Sequence, residues 1–260
     1  MRLFNIWLTF TLRVAQQQFL TVGSGYLFLF GKVLRLVLLF IFLYSILSAT
    51  RSLAGYTKEQ VLLFFFVFNI VDLTVQFLFR GVYIFRSRVV SGDFDLDLIK
   101  PLPSFFRPLF GWTDVLDFAI LVPLWMFFIY FLTVNGMVTS ITNVILFLIL
   151  LLNSVLVGFA FHLFISAVCV MTTEIDHLTW IYRDLTHMAR FPTDIYQRGI
   201  QYALTFVIPV IVLVTIPAKA LLGILTPQMV LIAFGVSIVF VIFSLKMWNY
   251  ALSQYTSASS

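Results

Sequence analysis

Charge is what this chain has least of. Only 10% of its 260 residues are Asp, Glu, Lys or Arg, against about a quarter in an ordinary water-soluble domain. A soluble fold in which 62% of residues are hydrophobic, 31 of them Phe, would leave wide apolar patches facing water. A soluble globular protein is thereby excluded. Cysteine is almost missing as well: the single Cys169 sits in an apolar run, which rules out an intramolecular disulfide and a multi-cysteine metal site. The three histidines (His162, His177 and His187) are scattered, and no H-x-x-x-H, G-x-S-x-G or clustered set of catalytic acids occurs. The run from Gly25 to Val33 only approaches a P-loop, with five residues between Gly25 and Gly31 and Val33 where Ser or Thr belongs. No enzymatic activity, bound cofactor, metal or nucleic-acid partner is expected of this chain.

What it has instead is long apolar runs and a mean hydropathy of +1.06. A run of about 20 mainly apolar residues suffices for a helix to cross a bilayer. Six such runs are present, at 26–48, 61–79, 115–134, 144–171, 200–217 and 229–248. Lys32 and Arg35 fall inside the first, where their heads are expected to snorkel to the lipid headgroups. The linkers are short, so 1–260 reads as one membrane domain, all-α and polytopic. A stripe of Gly158, His162, Ser166 and Cys169 on the fourth run is expected to permit close helix packing.

Lys and Arg gather on the cytoplasmic side of membrane proteins. With the N-terminus placed there, only Arg51, Lys58 and Lys219 of the 16 Lys and Arg fall outside. Both termini and the two longest loops, 80–112 and 172–199, are therefore expected in the cytoplasm. Residues 1–24 lack the short apolar core and cleavage site of a signal peptide. Arg2, Asn5, Thr9, Arg13 and Gln16 recur there at helical spacing, which predicts an amphipathic helix in the headgroup layer.

In loop 80–112, Asp93, Asp95 and Asp97 alternate with Phe94, Leu96 and Leu98 before Lys100 and Pro101 stop any helix. The alternation predicts apolar side chains on the bundle and acids facing water or a soluble partner. A calcium loop is not expected, because Leu98 and Ser104 stand where an EF-hand needs Gly and Glu. In loop 172–199, Ile175, Leu178, Tyr182, Leu185 and Met188 or Ala189 follow helical spacing. Glu174, His177, Arg183, Asp184 and His187 fall off that face, and Pro192 ends the helix after Phe191.

These residues carry a family resemblance. Ser91-Gly92-Asp93-Phe94-Asp95, continuing to Leu98-Ile99-Lys100-Pro101-Leu102, resembles the G-x-(L/F)-D … L-(I/L)-(K/R)-P-L signature of ABC exporter permeases of the type-2 class. Arg190-Phe191-Pro192 with Ile195-Tyr196 is similar to the R-F-P-x-x-I-Y stretch of a six-span subgroup of that class, and Pro209 and Pro217 fit its proline-marked fifth span. The tail from Trp248 to Leu252, with Tyr255 to Ala258, resembles its W-x-x-G-L-x-x-Y-S-S-A ending, with Ala251 and Thr256 as departures.

The resemblance implies a permease subunit in a bacterial cytoplasmic membrane, surrounded by membrane lipids. It would pair with a second permease, identical or not, and with two copies of an ABC ATPase subunit that hold ATP and Mg. The N-terminal helix would be the connector of that class, and 80–112 and 172–199 its coupling loops. Gly92, Asp93, Asp95, Asp97, Lys100, Pro101, Trp180, Arg183, Arg190, Phe191 and Pro192 would then couple to the ATPase.

Within the second run, Asn69, Asp72, Gln76 and Arg80 fall inside an arc of about 80° on one helix face. An ionised group at that depth costs about 2.5–3.5 kcal/mol and should face protein or a wet cavity. Two readings stay open: Asp72 pairs with Arg80 or a neighbouring helix, or it lines a transport path. At the level of function the alternatives are a stand-alone secondary transporter, which would need repeated halves around a midplane site, and a membrane enzyme of lipid metabolism. For the latter, Asp93, Asp95, Asp97, Asp114 and Asp117 are the one acid-rich set, and their spacing matches no catalytic template.

Overall fold

A computed structural model of the chain describes residues 2–20, 24–49, 52–138, 140–173 and 176–256. Of the positions named above, Arg51, Glu174, Ile175, Ser257 and Ala258 lie outside the described residues, as does the side chain of His177. The described residues contain helices and no strand. In chain order these are α1 (Arg2–Leu20), α2 (Ser24–Ala49), α3 (Lys58–Phe79), α4 (Val82–Val90), α5 (Asp95–Leu98) and α6 (Phe106–Phe110). There follow α7 (Val115–Val134), α8 (Ile141–Thr172), α9 (Asp176–His187), α10 (Arg198–Phe206), α11 (Ile216–Leu221) and α12 (Pro227–Gln254). Among the described residues, five helices are long and apolar enough to cross a membrane: α2, α3 continued by α4, α7, α8 and α12.

Ring contacts set their directions. Along α3 and α7, Phe66 meets Phe128 at 5.7 Å and Phe77 meets Phe118 at 5.3 Å, so the two helices are antiparallel. Phe79 meets His162 at 5.7 Å, and a Cβ on Gly158 would meet Val75, which makes α8 parallel to α3. Phe161 stacks on Phe240 at 5.5 Å and Phe164 meets Phe243 at 5.6 Å, so α12 is parallel to α8. The three helices that start at the Lys58 end are each capped by a hydroxyl, from Thr57, Ser140 and Thr226. Such a cap satisfies backbone N–H groups that the first helical turn leaves open.

α1 lies at the Arg80 end and divides its surface three ways. Trp7 packs edge-on against Phe77 at 6.0 Å and Val14 is buried. Phe4, Leu8 and Leu12 are exposed apolar residues, and Arg2 and Arg13 are exposed on another side. Protein, lipid and water can each take one face, as an interfacial helix requires.

The chain after α8 departs from the expected topology. Residues 172–199 do not form a loop at one face, and 200–217 is not a single span. Arg86 Nε donates to the Thr173 carbonyl at the Arg80 end. From there Tyr182 stacks on Phe161 at 4.6 Å, His187 meets Phe68 at 5.7 Å, and Phe191 packs beside Leu43, Leu47, Val61 and Leu62. The Tyr56 hydroxyl then donates to Asp194 at 2.8 Å, at the Lys58 end. Residues 176–195 thus traverse the whole bundle. Their composition concealed this, because α9 is too polar to stand in lipid alone and instead lays one face, with Tyr182 on Phe161, against α8.

The next segment turns back on itself. α10 and the helical stretch 211–221 meet at 83°. Pro209 lies in the break; proline lacks an N–H and pushes the residue before it out of helical geometry. A π-helical turn at Ile211–Thr215 follows, just ahead of Pro217. Thr215 and Thr193 share a hydrogen bond of 2.9 Å, and Lys219 Nζ donates to Asp194 at 2.9 Å. The pair therefore leaves and regains the Lys58 end, where α12 begins. Arg198, expected in the cytoplasm with Arg190, belongs to that end with Lys58 and Lys219.

Gly158 and Gly81 test this packing. A Cβ on Gly158 would stand 2.5 Å from Val75 Cγ2, a side chain that can be cut back, whereas one on Gly81 would meet the Pro108 and Leu109 carbonyl oxygens at 2.5 and 2.8 Å. Gly158→Ala is expected to cost about 1–3 kcal/mol by overpacking and to be rescued by Val75→Ala. Gly81→Ala should cost at least as much and not be rescued. Thermal unfolding of the purified protein distinguishes the two; a harmless Gly158→Ala would show that α3 and α8 do not meet there.

Candidate functional site

Loop 91–105 at the Arg80 end is held by one carboxylate and one aromatic clamp. Asp97 accepts hydrogen bonds from Arg88 at 2.7 Å, Arg107 at 2.6 Å and Lys100 at 3.1 Å. Burial alone would raise the Asp97 carboxyl, but those bonds from Arg107, Arg88 and Lys100 outweigh it and hold it below its ordinary value. Phe94 is fully buried between Phe85, Trp248 and Tyr255, with ring centroids at 5.0, 6.1 and 5.3 Å. Trp248 Nε1 donates to Ser104 at 2.9 Å and the Tyr255 hydroxyl to Asp95 at 2.8 Å. Burial and the Asp95 carboxylate beside it push the Tyr255 phenol up to about 12. Gly92 adopts φ +79°, a left-handed conformation that glycine takes without strain. Two segments 160 residues apart, from 92–101 and from the C-terminal tail, thus form one unit.

The expected facing of this loop holds at Asp93 and Phe94 and is reversed from Leu96 to Leu98. Phe94 and Asp97 point inward, only Asp93 among the three acids is exposed, and Leu96 (57%) and Ile99 (80%) stand out from the protein. α5 is a short helix, so residues three apart share a face, and a two-residue alternation misassigns every second one. The loop presents an apolar tip formed by Leu96, Leu98 and Ile99, ringed by Asp93 and Lys100.

Asp72 does not pair with Arg80. Arg80 donates to Gln76 at 3.0 Å and approaches Asp114 at 3.8 Å, while Gln76 donates to Tyr83 at 3.0 Å. Asn69 is turned to its own helix, donating to the Phe65 carbonyl at 2.7 Å. Lys32 does not snorkel: its Nζ lies 2.9 Å from Asp114 and 2.6 Å from Asp117. Asp114 also caps α7 by accepting from the Leu116 N–H, so it ties α2 and α3 to the start of that helix. Asp72, Gln76, Arg80, Lys32, Arg35, Asp117 and Arg183 together line a cavity of about 340 Å³.

A family model described as ABC-2 family transporter protein matches residues 33–259. The chain belongs to that family. No curated protein and no solved structure matches it. It is a multi-pass membrane permease of the ABC-exporter kind, a transport component that is not itself catalytic and that works with an ABC ATPase.

The remaining residues expected to couple this ABC-2 permease to an ATPase are spread along the crossing segment. Trp180 is exposed on α9 with Arg183 stacked over its ring at 5.6 Å. Arg190 lies over Phe68 at 5.2 Å, deep in the bundle, and Phe191 and Pro192 are near the Lys58 end, on the far side from Gly92, Lys100 and Pro101. The structure does not bring these two sets together. Arg88, Arg107, Lys32, Asp114, Asp117, Asp194 and Lys219 were not singled out by sequence as interacting groups. Their one signal was a charge placed in or beside an apolar run, which does not reveal a partner.

The Asp97 shift has a definite sign. A carboxyl held below its unfolded value of about 3.9 stabilises the loop above that pH and releases it as pH falls through the lower folded value. Amide protection across 92–107, taken relative to the intrinsic exchange rate at each pH, should stay high down to about pH 4 and fall below. Asp97→Asn should leave these amides weakly protected at every pH, at a cost of about 2–3 kcal/mol. That is less than a fully buried pair loses, because the three cations are partly exposed. Slow exchange in the variant at pH 7 would show that Asp97 is not the clasp.

Proposed function

We propose that this permease is one half of an ATP-driven exporter in a bacterial cytoplasmic membrane, with both termini and the Arg80 end in the cytoplasm. A second permease completes the path, and two ATPase subunits, which hold the ATP and Mg, drive it. The observation that carries this reading is loop 91–105: a rigidly clasped element whose outermost residues, Leu96, Leu98 and Ile99, are apolar. An exposed apolar tip on a clasped loop is what a soluble partner buries. Gly92, Asp93, Asp95, Asp97, Lys100 and Pro101 set its shape, so force applied at the tip reaches Phe94, Trp248 and the end of α12. The concentration of Arg80, Arg86, Arg88, Lys100 and Arg107 at that end supports the orientation.

The crossing segment supplies the second half of the mechanism. α9 starts at the same end as the loop, and Arg86 joins it to α4. Trp180, Arg183, Arg190, Phe191 and Pro192 therefore transmit motion along the bundle rather than receive it from the ATPase. α2 is scarcely buried by its own chain, with Phe30, Val37 and Ile41 exposed along another face. That face suits the second permease.

Leu96→Glu combined with Ile99→Glu tests the docking. The double variant is expected to lose at least about tenfold in co-purifying ATPase activity while the permease's own melting temperature stays within about 2 °C. Retention of full ATPase activity would place the docking surface elsewhere. A wild-type protein that transports alone in liposomes, with no associated ATPase, would return the function to a secondary transporter.

A further inference from the structure

The cavity between α2, α3, α7 and α9 holds more cations than its acids neutralise. Lys32 is taken up by Asp114 and Asp117, and Arg80 turns to Asp114 and Gln76. Arg35 and Arg183 line the same cavity without an ion pair among the described residues, against Asp72 alone. Arg183 Nε is buried with no hydrogen-bond partner, and Arg190 lies within electrostatic reach of Asp72, Arg35 and Arg183. These guanidinium groups attract any anion that enters. Their planar forks suit the oxygens of a phosphate or carboxylate.

The exposed apolar face of α2 continues from this cavity. Leu34, Leu38, Leu39 and Phe42 form that strip, and Gly31 and Arg35 belong to both the strip and the charged cavity. A small free anion would have no use for this apolar extension. A molecule with an acidic head and a hydrocarbon tail would fill both parts at once, with Arg35 at the junction. We infer that the cavity and the adjoining strip of α2 bind an anionic amphiphile, its oxyanion head between Arg35 and Arg183 and its tail along α2. This molecule is the cargo; that last assignment rests on the exporter reading above, whereas the binding does not.

The purified permease, titrated in detergent with fluorescent-tail phosphatidylglycerol and with phosphatidylcholine carrying the same tail, tests the binding. The anionic probe is expected to bind at least about tenfold tighter. The preference should be lost in Arg35→Gln and in Arg183→Gln and kept in Lys246→Gln, an exposed cation outside the cavity. Arg35 is itself exposed, so its replacement leaves the packing of α2 intact. Equal affinity for the two probes, or a preference retained by both arginine variants, overturns the site. In liposomes with the partner ATPase, ATP should move phosphatidylglycerol between leaflets and leave phosphatidylcholine in place. Selective binding without ATP-driven movement overturns the cargo assignment and marks a resident lipid. Failure of the exporter reading looks different: no ATPase activity accompanies the permease, whichever probe binds.

Discussion

Inside a bilayer a charge has no water to turn to, and most of this structure follows from that constraint. Three carboxylate centres answer it, one holding a lysine inside the α2 span and two at the ends of the bundle. Asp97 gathers Arg88, Lys100 and Arg107 and closes the loop after α4. Asp114 and Asp117 hold Lys32, which anchors α2 to the bundle although its own chain buries little of that helix. Asp194 takes Lys219 and Tyr56 and secures the far end of the crossing segment to α11 and α3. Each centre joins parts of the chain that apolar packing alone would leave free to slide, since lipid tails solvate a Leu or Phe as well as another helix does.

Much of this was legible because the bilayer fixes how long an apolar run must be. The expected runs at 26–48, 61–79, 115–134, 144–171 and 229–248 fall on α2, α3, α7, α8 and α12. Run 200–217 has the right composition, but composition is blind to direction, and Pro209 bends the chain there through 83°. The helical period at 175–189 was visible, yet an amphipathic period says only that two faces differ. Whether the polar face meets water or the inside of a bundle depends on partners such as Phe161 and Phe68, which are remote in sequence. The ion pairs were hidden for the same reason, Lys32 being 85 residues from Asp117.

Moving the fifth crossing from 200–217 to 176–195 leaves the parity of the chain unchanged. Trp7 and Tyr255, towards either end of the chain, still lie at the Arg80 end, in contact with Phe77 and Asp95. What changes is the character of the crossing. The other five are apolar helices; this one carries Arg183, His187 and Arg190 through the bundle. A permease needs some part of its span that tolerates a polar group, and this segment adds Arg183 to the Lys32, Arg35, Asp72 and Gln76 that α2 and α3 supply. Arg183 lines the charged cavity, and Asp194, at the other end of the same segment, lines a second cavity of about 350 Å³ among α10, α11 and α12. On the proposed reading, the polar crossing connects the side where energy arrives with the side where cargo leaves. Its polarity is then a requirement of the path, met by packing its inner face, with Tyr182 on Phe161 and His187 on Phe68, against α8 and α3.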